Sequence, residues 1–188
     1  HIVDKGSKLE TIYNRIHEVR MRFEVLWRDA EIGYLKQLQA APALQEELLN
    51  KLKNEQEQLQ ENFKFIANAN VGGEFMADEK IEKLNELAKT TWQRNFDDRL
   101  GLSPVEELNL IGEAEPLPTE EMLLANKPSH IISRTQQPNF DPKFGIKMDI
   151  PENLYNLGEI YNLSVARGTL SAEDRFKINE HVISTIKM

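Results

Sequence analysis

The sequence predicts an all-α fold, in which a long antiparallel helical hairpin and several shorter helices are accompanied by a proline-rich irregular segment. Hydrophobic residues recur every three or four positions through the first third of the chain, which is the spacing of one helix face. Charged residues make up 29% and aromatic residues only 7%, a balance more typical of helices than of a β-sandwich. Six of the eight prolines lie between Pro116 and Pro151, where they interrupt regular structure.

The composition argues against several classes of function. With 23 Lys and Arg against 31 Asp and Glu, the 188-residue chain has a net charge of -8, so nucleic acid and anionic membranes would repel it. It has no cysteine, which rules out disulfides, thiol nucleophiles and cysteine-based zinc sites. No apolar run approaches the ~20 residues that cross a bilayer. We therefore expect a soluble, cytoplasmic protein with neither a nucleic-acid nor a membrane partner.

The first predicted helix belongs to the segment from Leu9 to Ala40. Its apolar residues alternate three and four positions apart, as in the a and d positions of a coiled coil: Leu9, Ile12, Ile16, Val19, Phe23, Leu26, Ala30 and Gly33. This stripe has two interpretations: it packs inside the chain, or it is a surface through which two copies form a homodimer. Pro42 interrupts the helix because proline disfavours helical geometry in the residue before it.

A second helix is predicted from about Ala43 to Asn70. The short connection predicts that it folds back on the first as an antiparallel hairpin, with arms of roughly 40 Å. Gly72 follows this helix, as glycine commonly does. A third helix is predicted from Asp78, as its N-cap, to Asn95. Three aromatic residues at helical spacing are expected in the core: Trp27, Tyr34 and Trp92.

Shorter elements follow. The run Ser103-Pro104-Val105-Glu106 has the pattern of a capping box and predicts a short helix that ends near Gly112. Thr119 is predicted to begin another short helix. The residues from Pro116 to Pro151 are predicted to form an irregular wrapping segment or a flexible linker. Within it, Ile131-Ile132 and the residues from Phe144 to Ile150 are candidates for extended pieces, but no sheet is expected.

The last predicted helix begins at Ala172, behind the capping residue Ser171, and continues to at least Lys187. Its apolar residues are spaced four apart, so we expect them to form its buried face: Ile178, Val182 and Ile186.

The residues that most often carry chemistry form no recognisable motif. The four histidines, His1, His17, His130 and His181, lack metal-ligand spacing, and His17 and His130 are interpreted as structural residues. Asp97 and Asp98 adjoin two arginines and are interpreted as part of a solvated charge cluster. The glycine pair after the second helix lacks the Lys-Ser/Thr of a phosphate loop.

One stretch near the C-terminus has a distinctive pattern. The run from Arg167 to Val182 reads RGTLSAEDRFKINEHV, in which a Gly-x-Leu-Ser turn caps a helix that carries His181. It resembles a segment of the HD-GYP family of metal-dependent phosphohydrolases, although Arg167 stands where proline is common. The run from His1 to Leu9, HIVDKGSKL, resembles the loop after the family's His-Asp dyad helix, with Gly6 in place of the usual proline.

The resemblance implies an internal piece of a bacterial HD-GYP-like phosphodiesterase that acts on cyclic di-GMP. His181 would be one ligand of a centre of two or three divalent metal ions, iron or manganese. Such ions neutralise a phosphate and lower the pKa of the attacking water. The sequence contains neither a His-Asp dyad nor an HHExxDGxGYP signature. We therefore expect the chain alone to be inactive and to bind no metal tightly.

The same resemblance implies a division of the chain. Residues 1–113 would be a helical insertion, residues 114–162 a proline-rich irregular segment, and residues 163–188 the start of the resumed helical core. The partner of this chain would be the rest of the HD-GYP-like domain. The alternative is a non-catalytic interaction module, in which the stripe of the first helix serves for dimerisation.

Overall fold

The structure, a computed structural model, describes residues 14–73, 75–136, 138, 140 and 148–186. Within these ranges it contains six α-helices and four short strands, which form two antiparallel sheets of two strands each. The protein is therefore mostly helical, as predicted. The prediction that it is all-α is wrong, because non-local pairing turns four short segments into strands.

The two long helices are α1, Ile16–Ala40, and α2, Gln45–Val71, with a single 3-10 turn at Pro42–Leu44 between them. They pack against each other, and the rings of Phe23 and Phe63 meet edge to face with centroids 5.4 Å apart. The antiparallel hairpin as such stays a prediction.

The hydrophobic stripe of α1 is used inside the chain. Val19 and Phe23 are buried, and Ile16 and Leu26 pack against the same core. Leu9 and Ile12, the first two residues of the predicted stripe, lie outside the described residues. The described part of the stripe thus supports its interpretation as an intramolecular packing surface.

The third helix, α3, spans Asp78–Ala88 and is shorter than predicted. Its N-cap is Ala77, and Asp78 is its first helical residue. The prediction that it continues to Asn95 is wrong, because the chain turns into strand β1, Thr91–Arg94.

Strand β2, Thr119–Met122, is the partner of β1, and the predicted helix start at Thr119 is therefore wrong. The register places Thr91 opposite Met122 and Trp92 opposite Glu121. The pairing continues past the strands, since the backbone N–H of Leu123 donates to the carbonyl of Thr90. A four-residue segment takes its conformation from such a partner more than from its own propensity.

The capping box predicted at Ser103 is confirmed at the start of α4, Pro104–Leu108. The backbone N–H of Glu106 donates to the Ser103 hydroxyl, and the Glu106 carboxylate accepts from the backbone N–H of Ser103. Two hydrogen bonds lower the pKa of Glu106: the larger effect comes from the Ser103 side chain and the smaller from the Ser103 backbone.

The proline-rich segment is not wholly irregular. A 3-10 turn at Pro128–His130 leads into strand β3, Ile131–Ser133, which pairs with β4, Asn153–Asn156. The prediction that no sheet forms there is wrong. Helix α5, Glu159–Leu163, follows directly.

The last helix, α6, spans Ala172–Ile186, and its predicted cap is confirmed. The Ser171 hydroxyl accepts from the N–H of Asp174, whose carboxylate accepts in return from the N–H of Ser171. Lys187 and the side chain of Ile186 lie outside the described residues.

The predicted buried face of α6 is wrong. Ile178 and Val182 are 50% and 55% exposed, whereas Glu173, Phe176 and Ile183 are buried. The reason is tertiary: this other face meets the neighbouring elements, and the guanidinium of Arg134 lies over the Phe176 ring.

A single cluster of buried residues forms the hydrophobic core and joins the two halves of the chain. Its fully buried members are Ile66, Leu84, Leu123 and Leu124, from α2, α3 and the residues after β2. Trp27, Tyr34 and Trp92 are only partly buried and lie outside this cluster, contrary to the prediction.

The proposed division at residues 113 and 162 stays a prediction. In the described ranges, no helix combines the length and apolar character needed to cross a bilayer.

We expect Gly72→Ala to lower the free energy of unfolding by about 1–3 kcal/mol, because Gly72 has φ 75° and ψ -178°, a region that is essentially restricted to glycine. A Cβ there would also lie 2.9 Å from the carbonyl oxygen of Gly168. Gly33→Ala is the matched control: a Cβ in this part of α1 meets nothing within 4 Å, so the variant should gain roughly 0.5–1 kcal/mol. Urea unfolding compares them, and equal effects would contradict this account.

Candidate functional site

The site residue predicted from sequence, His181, lies on the exposed side of α6. Ile178, His181 and Val182 share one helix face because they are spaced three and four residues apart. We call these three residues the outer face of α6. It combines a ring that can ligate a metal with two apolar side chains that the described residues leave exposed.

The opposite side of α6 packs against β4 and is joined to α5 by a hydrogen bond. Glu173 is buried, and its carboxylate accepts a hydrogen bond of 2.9 Å from the hydroxyl of Tyr161. The pKa of Tyr161 is raised mainly by burial and, to a smaller extent, by this hydrogen bond. This hydrogen bond, the packing of α6 against β4 and the Arg134 guanidinium over the Phe176 ring all lie on the side of α6 opposite its outer face.

No metal centre is complete within the described part of the chain. Neither His181 nor any other described residue belongs to a group of three or more His, Cys, Asp and Glu side chains that could hold a metal ion. His17 lies on α1 and His130 in the turn before β3, so the described histidines come from three separate elements, and His1 lies outside the described residues. The described residues alone do not fit a multi-metal site.

A largely buried ion pair joins the N-terminus of α5 to α1. The Arg22 guanidinium donates to both carboxylate oxygens of Glu159, at 2.7 Å and 3.2 Å, and Arg22 also donates to the carbonyl of Leu123 at 2.9 Å. The Glu159 carboxylate accepts from the backbone N–H of Ala125 at 2.6 Å. We call this set of bonds the Arg22–Glu159 clamp.

Sequence reasoning missed the clamp, and no local signal could have found it. Arg22 and Glu159 are 137 residues apart, and each belongs to an ordinary polar position of its helix. Their side chains are only 14% and 6% exposed, so the ion pair is largely removed from water.

A second ion-pair network connects β1 and β2 to the residues around them. Arg94 bonds Glu121 at 2.6 Å, and Lys127 bonds Asp98 at 2.6 Å and Glu121 at 3.1 Å. Burial alone would raise the pKa of Asp98, but the hydrogen bond and charge of Lys127 and the charge of Arg94 lower it. The charge cluster predicted around Asp98 is thus present and extends to Lys127, a residue that sequence proximity did not indicate. It is not solvated as predicted, because the side chains of Arg94 and Glu121 are only 10% and 14% exposed.

The clamp and the network border a cleft of about 730 Å³. Its walls come from α1, β1, β2 and the turn at Pro128–His130, and Arg15 of the α1 N-cap lies at its edge. The larger apolar side chains of the lining are Met21, Val25, Trp92, Leu102, Ile132 and Leu157. This is within the volume range of typical small-molecule sites, roughly 300–1,000 Å³.

His130 belongs to this cleft and has a defined tautomer. Its Nδ1 accepts from the backbone N–H of Lys127 at 3.3 Å, so in the neutral ring the proton is on Nε2. Burial, and then the positive charge of Arg15, lower the pKa of His130. The interpretation of His130 as a structural residue therefore leaves out its position on a concave surface.

One known family model matches the C-terminal part of the chain. Residues 118–188 match the sequence model of the HD domain, and this range includes β2, β3, β4, α5 and α6. The match supports the HD superfamily for this segment, although it does not extend to the HD-GYP subfamily. HD domains typically bind divalent metal ions, and the family suggests a metal-dependent phosphohydrolase. No curated protein and no solved structure gave a significant match to the chain.

We expect Arg22→Met to lower the free energy of unfolding by about 3–5 kcal/mol, because it leaves the Glu159 carboxylate buried without its counter-ion. The double variant with Glu159→Gln should lose less than the sum of the two single losses. Arg28→Met is the matched control, since its pair with Glu31 is 65% and 37% exposed and is screened by solvent, so its loss should change stability little. Additive losses in a urea-unfolding cycle would contradict the clamp.

The lowered pKa of His130 makes a prediction about pH. As the pH is lowered, the unfolded chain takes up this proton near pH 6.5, before the folded chain does. The free energy of unfolding should therefore decrease between about pH 6.5 and the lower folded-state pKa, and should stay constant below that pKa. NMR titration of the ring and urea unfolding against pH measure the two sides of this linkage. His130→Gln should remove that component of the pH dependence, and an unchanged profile would disprove it.

Proposed function

We propose that this chain is part of an HD-GYP-like metal-dependent phosphohydrolase that hydrolyses cyclic di-GMP, and that His181 is one of its metal ligands. The observation that carries the proposal is the HD domain match over residues 118–188, which includes the capped helix that presents His181. A cytoplasmic location and iron or manganese as the metal belong to the same proposal.

The outer face of α6 supports this role for His181. Half-exposed Ile178 and Val182 flank the imidazole, and burial of two such side chains against another surface would contribute about 1.5–3 kcal/mol each at most. A face of this kind is suited to dock on further helices of an HD-type domain. The imidazole would then be carried into the interface together with the apolar residues.

One imidazole cannot hold a metal centre, and within the described residues no larger ligand set exists. The remaining ligands would therefore come from residues outside the described ranges or from another segment of polypeptide. For this reason we derive no catalytic step through the metal. The chain by itself is proposed to be inactive, with a structural or regulatory part in the complete enzyme.

The residues before the HD match have a defined place in this proposal. Helices α1 to α3 contribute to the same hydrophobic core as Leu123, Leu124 and Leu163 of the matched segment. They would be an insertion that packs directly on the HD-type region, and a homodimer through α1 and α2 stays an untested part of the earlier prediction.

The test uses the full natural protein that contains this chain, with His181→Ala and, as a matched control on the same helix, Asn179→Ala. We expect His181→Ala to reduce both bound metal and cyclic di-GMP hydrolysis by more than the roughly 10–100-fold that loss of an outer-shell partner typically costs. Metal content by mass spectrometry and release of the linear dinucleotide are the two measurements.

The outcomes separate the parts of the proposal. Unchanged metal content and turnover in His181→Ala would remove His181 from the site. Turnover of other phosphate esters without cyclic di-GMP hydrolysis would leave the phosphohydrolase and refute its substrate. If the natural protein neither binds divalent metal nor hydrolyses any phosphate ester, the proposal of a metal-dependent phosphohydrolase is refuted.

A further inference from the structure

We propose that the cleft beside the Arg22–Glu159 clamp binds a small organic monocarboxylate with an apolar body, its head group held by Arg15 and His130. The cleft lies between α1, the β1–β2 sheet and the turn at Pro128–His130. The inference concerns a different surface from the outer face of α6 and does not depend on the proposed function.

The apolar lining indicates what the body of the ligand is. Met21 is 57% and Leu157 44% exposed, and both line the cleft together with Trp92. Large apolar side chains that face an open concave surface favour a ligand that replaces water against them. The indole of Trp92 adds an aromatic edge on which a ring or a chain can pack.

The acidic side chains of the cleft already have partners. Glu121 and Asp98 are paired with Arg94 and Lys127, and Glu159 with Arg22. In the same lining, Glu106 accepts from Ser103, and Glu18 lies 3.7 Å from Arg22. These carboxylates therefore have little unused capacity with which to attract a cationic ligand.

The unused capacity is on the donor side. Within the described residues, the Arg15 guanidinium makes no ion pair or hydrogen bond. The Nδ1 of His130 is occupied as an acceptor, so its Nε2–H is a donor for which the described residues supply no acceptor. Trp92 Nε1 is likewise buried without a partner in the part of the chain that the structure describes. Because the Trp92 Nε1 is buried, the donors left for a ligand are those of Arg15 and His130, and they call for a ligand that brings acceptors.

Arg15 and His130 are near enough to act on one head group. Both line the cleft, and the positive charge of Arg15 contributes to lowering the pKa of His130, after burial. The planar fork of a guanidinium matches a carboxylate, and a charge-assisted bond of this type is about twice as strong as a neutral one. A neutral imidazole beside it adds one directed N–H without adding a second charge.

The charge balance favours a monoanion over a phosphate. Four cations and five carboxylates line the cleft. Among the described residues, Arg15 is the cation of this lining without an ion pair, so it can compensate one negative charge. A dianionic phosphate would bring a second charge into a cleft that Glu18, Asp98 and Glu121 also line, and like charges in such surroundings repel. The ligand is therefore a carboxylate with an apolar or aromatic body.

The test uses the full chain and three probes: 4-phenylbutyrate, the neutral 4-phenyl-1-butanol and phenyl phosphate. Saturable shifts of the Trp92 indole and His130 ring signals in NMR spectra report binding, with Trp27→Phe assigning the indole. We expect phenylbutyrate to bind at least about tenfold more tightly than either other probe, which is the effect of one charge-assisted hydrogen bond.

Arg15→Gln and His130→Gln should each weaken phenylbutyrate binding by about tenfold or more. Arg20→Gln is the matched control, because Arg20 lies on the same helix, is exposed and does not line the cleft. Circular dichroism checks the fold of each variant, and Arg15→Lys, which keeps the charge without the fork, should give an intermediate affinity.

Three results would overturn the proposal. The first is the absence of a saturable shift at Trp92 and His130 with phenylbutyrate. The second is equal binding of the acid and the alcohol, or no loss in folded Arg15→Gln, since the head group would then contribute nothing. The third is tighter binding of phenyl phosphate, which would replace the carboxylate with a phosphate as the recognised group.

Discussion

The buried ion pair of Arg22 and Glu159 is the constraint on which the arrangement of the other elements depends. Removing two charges from water costs several kcal/mol per ion, and only good geometry and further hydrogen bonds offset it. Here both guanidinium arms, the carbonyl of Leu123 and the N–H of Ala125 supply those bonds. The pair therefore fixes α1, α5 and the residues after β2 relative to one another, next to the most deeply buried leucines.

The cleft follows from the same arrangement. Arg22 pairs with Glu159, and Arg94 and Lys127 pair with Glu121 and Asp98. These two sets of ion pairs border the cleft between α1 and the β1–β2 sheet, whose lining is partly apolar. Charges that satisfy each other rigidify the walls and leave the remaining donors to define which ligand can bind.

The HD-matched segment does not stand apart from the helices that precede it. Leu123, Leu124 and Leu163 share one cluster with residues of α1, α2 and α3, and Gly168 pairs with Gly73 after α2. The same contacts that bury one side of α6 leave its other side, with His181, exposed. This division gives the helix an inner structural face and an outer face on which the proposed metal site rests.

What the sequence by itself determined were the features set by neighbours along the chain: the second long helix, the C-terminal end of the first, the capping box at Ser103, the cap at Ser171 and the glycine after α2. The first helix begins at Ile16, later than its predicted segment from Leu9. Only tertiary structure decided that Thr91–Arg94 and Thr119–Met122 are strands, which face of α6 is buried, and that Arg22 meets Glu159. The physical reason is range. Caps and helical periodicity act within a few residues, whereas strand pairing, burial of one helix face over another and a clamp across 137 residues depend on partners that no local pattern specifies.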